Sequence, residues 1–349
     1  MAKFKIITAA GAAIAAAGGG YDYEMEALEG ADVEIVEGPV GDEDAFIAAA
    51  KEADAIYARG GMLITKKIID SLTRCRVIAL GSVGVDQVDV AAASARGIPV
   101  TNCPDTFIEE VADHAMTLLL AGFRRVIEQD RMVREGRWRE GRPALLKIPR
   151  LMGQTLGFIA FGHVARATSI RAKAFGLRLM AYDPYIEETT MHEHGVLPAT
   201  LSEVLQQSDF ISMHAPATPD ARGMLKEKHF KQMKKSAIFI NTGRGPTVVE
   251  AALIKALREG WIAHAALDVL EQEPPKPDNP LISMGNVTLS PHNASATARF
   301  DPARKRRVGQ ELALALSGKW PMSCVNPAVL AKSELDRWQP VSMQRGPNS

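Results

Sequence analysis

Short apolar runs recur along this chain, each separated from the next by a segment of helical spacing. The runs fall at 5–8, 33–36, 55–57, 77–79 and 99–101, and again at 156–161, 178–182, 210–213, 237–241, 264–268 and 287–289. Strands that are apolar on both sides need helices on both faces, which is the condition of a buried parallel sheet. Helices expected at 43–52 and 65–71, among others, supply that cover. Asn102-Cys103-Pro104 interrupts the alternation, and a long helical segment runs from about 106 to 125 before the second series begins. Two series divided by a helix predict an α/β chain of two doubly wound parallel-sheet domains, a number that suits 349 residues.

Charge and cysteine content narrow the function classes. Lys and Arg together number 41, as do Asp and Glu, so no overall field recruits nucleic acid or an anionic membrane. The run Arg304-Lys305-Arg306-Arg307 reads as the solvated face of a helix, the last helix being expected over 297–316. Three scattered cysteines (Cys75, Cys103, Cys324) argue for a reducing compartment, hence a cytoplasmic location, and against a disulfide framework. Lys3 and Lys5 ahead of the Ala-rich stretch 6–17 faintly suggest a secretory signal. Ala and Gly make a poor hydrophobic segment, however, and the first sheet needs a strand there, so a strand and a Gly/Ala-rich loop are expected. No run is apolar enough to span a membrane. The polar tail from about Ala331 is expected to carry little order.

Residues 156–166 are a strand, a tight turn and a helix start, with Ala160, Gly162 and Ala165 at the three positions of a G-x-G-x-x-G fingerprint. The middle glycine, which lets the backbone approach a pyrophosphate, is kept, and alanine is an accepted third residue. Ala160 departs from the pattern and requires that the first turn residue avoid a positive φ. Asp183 lies eighteen residues beyond Ala165, at the end of the next strand. A carboxylate there accepts hydrogen bonds from adenosine ribose hydroxyls and repels a 2′-phosphate, and no arginine follows it, so NAD (NADH) is favoured over NADP. The competing reading is a plain turn in which Asp183 caps the backbone before Pro184.

Three later segments stand just past expected strand ends, where doubly wound folds bind ligands. Asn241-Thr242-Gly243-Arg244-Gly245-Pro246 sets one arginine among glycines, suited to clamp a carboxylate bidentately; Thr247 and Glu250 after it are expected to form a capping box. Asp268-Val269-Leu270-Glu271-Gln272-Glu273-Pro274 is an acidic loop, and Ser290-Pro291-His292-Asn293-Ala294 carries a histidine. Singly, each has a bland explanation: a paired surface arginine, a solvated loop, a structural histidine.

In this order the segments resemble the D-isomer-specific 2-hydroxyacid dehydrogenase family, which includes glyoxylate/hydroxypyruvate reductases and phosphoglycerate dehydrogenases. The resemblance runs from about 55 to 327 and includes Gly81-Ser82-Val83-Gly84-Val85-Asp86, Arg96-Gly97-Ile98-Pro99-Val100, Glu110-Val111-Ala112-Asp113-His114 and Gly136-Arg137-Trp138. It implies a Rossmann NAD-binding domain over 104–298, a flavodoxin-like substrate domain over 1–103 plus 299–330, and a tail over 331–349. The active site would lie between the domains, with hydride passing between the nicotinamide and C2 of a small 2-oxo or 2-hydroxy acid. His292 would be the acid/base, since imidazole titrates near neutrality. Glu273, the acid before Pro274, would hold the other ring nitrogen in preference to Glu271, and Arg244 would bind the substrate carboxylate. Formate dehydrogenases of this fold carry glutamine in place of Glu273. Val83 and Gly84 resemble the substrate-carboxylate cradle, and Arg59 and Gly60 the pocket lining, with an exposed surface role open for Arg59. Gly162, His163, Val164, Asp183, Ala215, Thr242, Gly243, Asp268, His292 and Ala294 resemble the cofactor contacts.

The resemblance further implies a homodimer built on residues 106–149, within which Trp138 either reaches a partner's active site or simply packs. The alternative from another class is a corepressor-like NAD(H)-sensing binding protein of the same fold, though such a module has no use for an Arg, Glu and His relay. His192-Glu193-His194 invites a metal reading but has no third ligand at a credible spacing, so a solvated loop is expected and no metal. His114 is expected to be a structural helix residue. The chain ends soon after Pro327, which favours a general 2-oxo acid reductase over an enzyme with an appended regulatory domain.

Overall fold

In the computed structural model residues 4–10, 20–60 and 62–337 are described, and they form two compact units, 1–106 with 298–349 and 107–297. The Gly/Ala-rich loop expected after the first strand and the end of the tail lie outside the described residues.

The first unit holds five parallel strands, β1 (Phe4–Ala10), β2 (Val33–Glu37), β3 (Ala55–Arg59), β4 (Val77–Leu80) and β5 (Val100–Thr101), in the order β2-β1-β3-β4-β5. This is the flavodoxin-like order, whose switch point falls between β1 and β3. Ile7, Phe46, Ile56, Ile68, Ile78 and Val100 form its core. Helices Glu43–Ala50 and Lys66–Ser71 start where a side chain can take an orphan amide: Asp42 accepts from the Ala45 N–H and Thr65 from the Ile68 N–H.

The helix Phe300–Leu316 belongs to this unit and packs on the helix Asp22–Ala27 and on β4. The approach is close enough that a Cβ on Gly309 would stand 2.6 Å from the Glu24 carbonyl. Its basic run is not a solvated face. Arg304 pairs with Asp301, Arg306 with Glu26, Arg307 with Glu311 and Asp105, and Lys305 is buried at 4% exposure. The chain then returns to the sheet edge through Asn326. Its Oδ1 accepts the Val100 N–H at 2.8 Å, and its Nδ2 donates to the Ile98 carbonyl and the Ser94 hydroxyl, each at 3.0 Å. Part of the expected tail is ordered: the Asp336 carbonyl accepts from the Trp320 amide and the Leu335 carbonyl from the Trp320 indole.

The second unit holds seven parallel strands, β6 (Thr155–Ile159), β7 (Arg178–Tyr182), β8 (Leu197–Pro198), β9 (Phe210–Met213), β10 (Ile238–Asn241), β11 (His264–Leu267) and β12 (Val287–Leu289). Their order, β12-β11-β10-β9-β6-β7-β8, is that of the Rossmann fold extended by one strand. The two-residue β8, with Leu197 exposed, carries no apolar run and is absent from the sequence reading. Alternation along β10 sends Phe239 into one core cluster and Ile238 and Ile240 into the other, so both faces are covered. The helix Ile108–Arg124 buries Ala112, Ala115, Met116, Leu119 and Phe123 along one stripe, and Phe123 meets Phe210 edge-on at 5.3 Å. The switch point between β6 and β9 opens toward their carboxyl ends.

Replacing Asn326 by Ala strands a buried N–H and a buried carbonyl at once. A loss of about 2–3 kcal/mol is expected, read as a lowered urea midpoint with unchanged slope.

Candidate active site

The turn after β6 is set by two cross-strand bonds. The Ala160 N–H donates to the Tyr182 carbonyl and the Phe161 N–H to Asp183 Oδ2, each at 2.8 Å. Together they place Ala160 at φ 69°, so the expectation of an ordinary φ there is overturned. A left-handed alanine costs about 1 kcal/mol; the bonds impose the turn, and the small side chain tolerates it. Gly162 follows as N-cap of the helix His163–Ala174 with no side-chain cap. A Cβ on Gly162 would meet nothing within 4 Å, so the approach to the unpaired first-turn amides is open. Asp183 caps the turn, as one of its two expected readings has it, and leaves room for the other. Its Oδ1 takes the Tyr185 amide at 2.8 Å, capping the turn, and each carboxylate oxygen keeps a further lone pair for a ribose hydroxyl.

Past β10, Asn241 Oδ1 accepts the Gly243 amide at 3.0 Å, and Asn241 Nδ2 donates to the Arg244 carbonyl at 3.2 Å. The Thr247 hydroxyl donates to that carbonyl too, at 2.6 Å, so it does not cap the next helix. The helix Glu250–Arg258 has no N-cap side-chain bond, and the expected capping box is absent. Glu250 is drawn away by Glu271: each carboxylate accepts the other residue's amide, at 2.9 and 3.1 Å. This clamp ties the acidic loop to the helix, and Gly245 packs beneath it, where a Cβ would stand 1.7 Å from the Leu270 carbonyl.

Past β11 and β12 the remaining residues converge. Asp268, 2% exposed, accepts the Ser290 hydroxyl and the Asn293 amide on Oδ1 (2.6 and 3.0 Å) and the Ala294 amide on Oδ2 (3.0 Å). The Asp268 carbonyl accepts the His292 N–H at 2.8 Å. These bonds hold His292 at φ 48°, a left-handed backbone that a histidine adopts only under constraint. His292 Nδ1 lies 2.6 Å from Glu273 Oε2, and Glu273 Oε1 accepts the Leu270 amide at 2.8 Å. The hydrogen bond that His292 donates to Glu273 raises the His292 pKa above its ordinary value; burial and the Arg244 charge oppose it without reversing it. Burial alone would push the Glu273 carboxyl up, but the His292 ring, the Leu270 amide and Arg244 outweigh it and hold it below the usual range. Nδ1 therefore carries the proton shared with the carboxylate, and Nε2 is the ring nitrogen that Glu273 does not engage.

The fit to a nicotinamide dinucleotide rests on what this unit leaves open. Besides the unfilled approach at Gly162, the Thr242 hydroxyl is buried with no hydrogen-bond partner, a state that a ligand's polar group would relieve. Ala215, Thr242, Gly243, Asp268 and Ala294 all lie at the carboxyl ends of β9 to β12. His214 there is pushed down to about 4 by burial, so it is neutral at pH 7.

Other predicted positions fall in the first unit. Arg59 is no surface residue: it is 6% exposed at the end of β3, with Tyr21 and Tyr57 rings 5.3 and 5.4 Å from its guanidinium. Gly60 follows at φ 79°. Val83 and Gly84 lie on the loop after β4, their carbonyls accepting from Asn102 Nδ2 and the Ser82 hydroxyl, at 2.7 Å each. Among the described residues no group of three or more His, Cys, Asp or Glu gathers as a cation would need. His194 of the His-Glu-His segment lies edge-on to Phe161 at 5.8 Å. Sequence reasoning missed the contact of His114 with Ser290 and the Glu250–Glu271 clamp, which join residues remote along the chain.

A Rossmann sheet whose strand ends carry an open fingerprint turn, a carboxylate at the end of the next strand and a Glu-paired histidine defines a nicotinamide-dependent dehydrogenase. The profile for the D-isomer specific 2-hydroxyacid dehydrogenase NAD binding domain matches residues 116–294. The chain is 40% identical over 286 residues to a glyoxylate reductase of Korarchaeum cryptofilum, covering 82% of this chain and 86% of that protein. It is 36% identical over 310 residues to a D-3-phosphoglycerate dehydrogenase of Methanocaldococcus jannaschii, covering 88% of this chain but 58% of that protein. Among solved structures, an NADPH-dependent glyoxylate/hydroxypyruvate reductase from Sinorhizobium meliloti, in complex with NADP and malonate, matches with a TM-score of 0.80 at 30% identity. The match covers 97% of this chain and 100% of that one. This chain belongs to the D-isomer-specific 2-hydroxyacid dehydrogenase family, and it is an NAD-dependent 2-hydroxyacid dehydrogenase.

Removing the carboxylate that raises the His292 pKa should lower it. In Glu273→Gln the His292 ring, followed by NMR, is expected to titrate at lower pH than in the wild type. An unchanged midpoint would mean that Glu273 does not govern the ring.

Proposed function

We propose that this enzyme reduces a small 2-oxo acid, with glyoxylate and hydroxypyruvate as leading candidates, to the 2-hydroxy acid with NADH. The observation that carries the reading is the Glu273–His292 pair at 2.6 Å, with the Arg244 charge close enough to act on both. Amides at Gly162, His163 and Val164 would hold the pyrophosphate and Asp183 the adenosine ribose. Ala215, Thr242, Gly243, Asp268, His292 and Ala294 would line the nicotinamide end. Bound NADH supplies the hydride to C2. Arg244 binds the substrate carboxylate by its fork of donors and draws charge toward the carbonyl. His292 delivers a proton from Nε2 to the C2 oxygen as negative charge develops there, and Glu273 keeps Nδ1 protonated throughout. Val83, Gly84, Arg59 and Gly60 are the first unit's candidates for binding the substrate, by family resemblance alone.

Reduction needs the protonated ring. Because the folded His292 pKa is raised, kcat/KM for the 2-oxo acid should be full below it and fall as the pH rises through it. His292→Ala is expected to lose roughly 10²–10⁴-fold in kcat/KM. Arg244→Lys, which keeps the charge but loses the fork, should lose roughly 10²-fold. Wild-type rates in either variant would remove that residue from the mechanism, and would favour a sensor that binds NAD(H) without turnover.

The cofactor preference rests on Asp183. A 2′-phosphate beside its carboxylate is expected to weaken binding by about 1–2 kcal/mol, roughly five- to thirtyfold in Kd. Fluorescence titration with NADH and NADPH reads this directly, and tighter NADPH binding would overturn it.

A homodimer is the assembly this unit favours. Val126, Ile127, Val133, Trp138, Leu146 and Met152 are exposed within 27 residues. Ile127 also lines a groove of about 950 Å³ at the amino ends of the sheet, together with Ile148, Ile282, Met284 and Val287. Sedimentation should give twice the 37.7 kDa chain mass; a monomer at micromolar concentration would refute it. Trp138→Ala separates the two roles open to that residue. Lost activity in an intact dimer means that it reaches a partner's site, and a weakened dimer means that it packs.

A further inference from the structure

His114 lies on the helix Ile108–Arg124, far along the chain from every residue assigned to the chemistry, yet its Nε2 is 2.8 Å from the Ser290 hydroxyl. Counting donors and acceptors gives this contact a direction. The Ser290 hydroxyl has one proton, and it is committed to Asp268 Oδ1 at 2.6 Å, because an ionised carboxylate only accepts. Asp268 is held in that accepting role by the Asn293 and Ala294 amides, which also demand lone pairs. The Ser290 oxygen is therefore an acceptor toward His114, and His114 Nε2 must carry a proton. The ring stands 3.5 Å from Asp268 Oδ1 itself, so a second, longer approach backs the first.

The consequence reaches the acid/base. Residues 290–294 form one loop whose Ser290 hydroxyl and Asn293 and Ala294 amides all end on the Asp268 carboxylate, while His292 hangs from the Asp268 carbonyl. His292 sits at the strained centre of that loop, at φ 48°. The Nε2–H of His114 orients the serine, the serine completes the shell of Asp268, and Asp268 sets where the His292 ring begins. We infer that His114 is a positioning residue, an obligate Nε2–H donor that acts through Ser290 and Asp268 to hold the His292 loop. The inference rests on His292 as the proton donor proposed above, but the tautomer of His114 does not.

Nitrogen chemical shifts of the ring test the first half without turnover. His114 should show a protonated Nε2, and an Nδ1–H neutral ring would overturn the assignment whatever the activity. The second half is read with glyoxylate and NADH. In His114→Phe, kcat should fall about tenfold, the scale of a small misplacement of a catalytic group, with KM for glyoxylate within twofold. His114→Gln, which can place an N–H near the same point, should recover most of the rate. Ser290→Ala should lose as much as His114→Phe, and the double variant no more than either single, since both remove one chain of bonds. Losses that multiply, or a glutamine no better than phenylalanine, would reduce His114 to packing. If His292→Ala were as active as the wild type, the proton-donor reading would fall while the ring shifts still decided the tautomer.

Discussion

The Asp268 carboxylate is buried to 2% exposure and takes three hydrogen bonds, from the Ser290 hydroxyl and from the amides of Asn293 and Ala294. A buried charge survives only when its lone pairs are occupied, and here all three of these donors come from the loop after β12. That loop has no regular structure of its own, so the carboxylate at the end of β11 is what organises it. The His292 backbone is held left-handed as a result, and its ring meets Glu273 across a gap of 2.6 Å. A weaker anchor would let the loop relax toward ordinary φ and carry the imidazole away from its partner.

Glu273 is positioned by a separate arrangement. The Glu250–Glu271 clamp fastens the acidic loop to the start of a helix, and Gly245 lets the Arg244 loop pass beneath it at a distance no side chain permits. Two carboxylates two residues apart thus do different work. The Glu271 carboxylate accepts the Glu250 amide, while Glu273 takes the Leu270 amide on one oxygen, faces the imidazole with the other and lifts its proton affinity. Arg244 pulls in the opposite sense on the imidazole, so the ring titrates under two competing charges.

Much of this architecture is legible in the chain. Strands buried on both faces read as continuous apolar runs, and β7, β9 and β12 fall on the residues expected of them. Three features are not legible, each for its own reason. The edge strand β8 has two residues and an exposed leucine, so it lacks the pattern that burial imposes. The basic run 304–307 has the composition of a solvated face, but its partners Glu26 and Asp105 are brought to it by packing. Ala160 adopts φ 69° because two neighbouring strands hold the turn from outside, which local preference alone argues against.

What the sequence determines by itself is the order of chemistries along the chain: a fingerprint turn, a strand-end acid, an arginine, an acidic loop and a histidine, each just past a strand. Burial patterns and turn residues are local, so they can be read one segment at a time. Which of these groups touch is a matter of sheet order, since β10, β11 and β12 are neighbours only once the sheet has formed. The tertiary structure alone decided that Glu271 clamps the Glu250 amide, that Thr247 does not cap its helix, and that His114 joins Ser290 from 176 residues away. Hydrogen bonds of that kind depend on distances of a few tenths of an ångström between remote segments, and no local pattern encodes them.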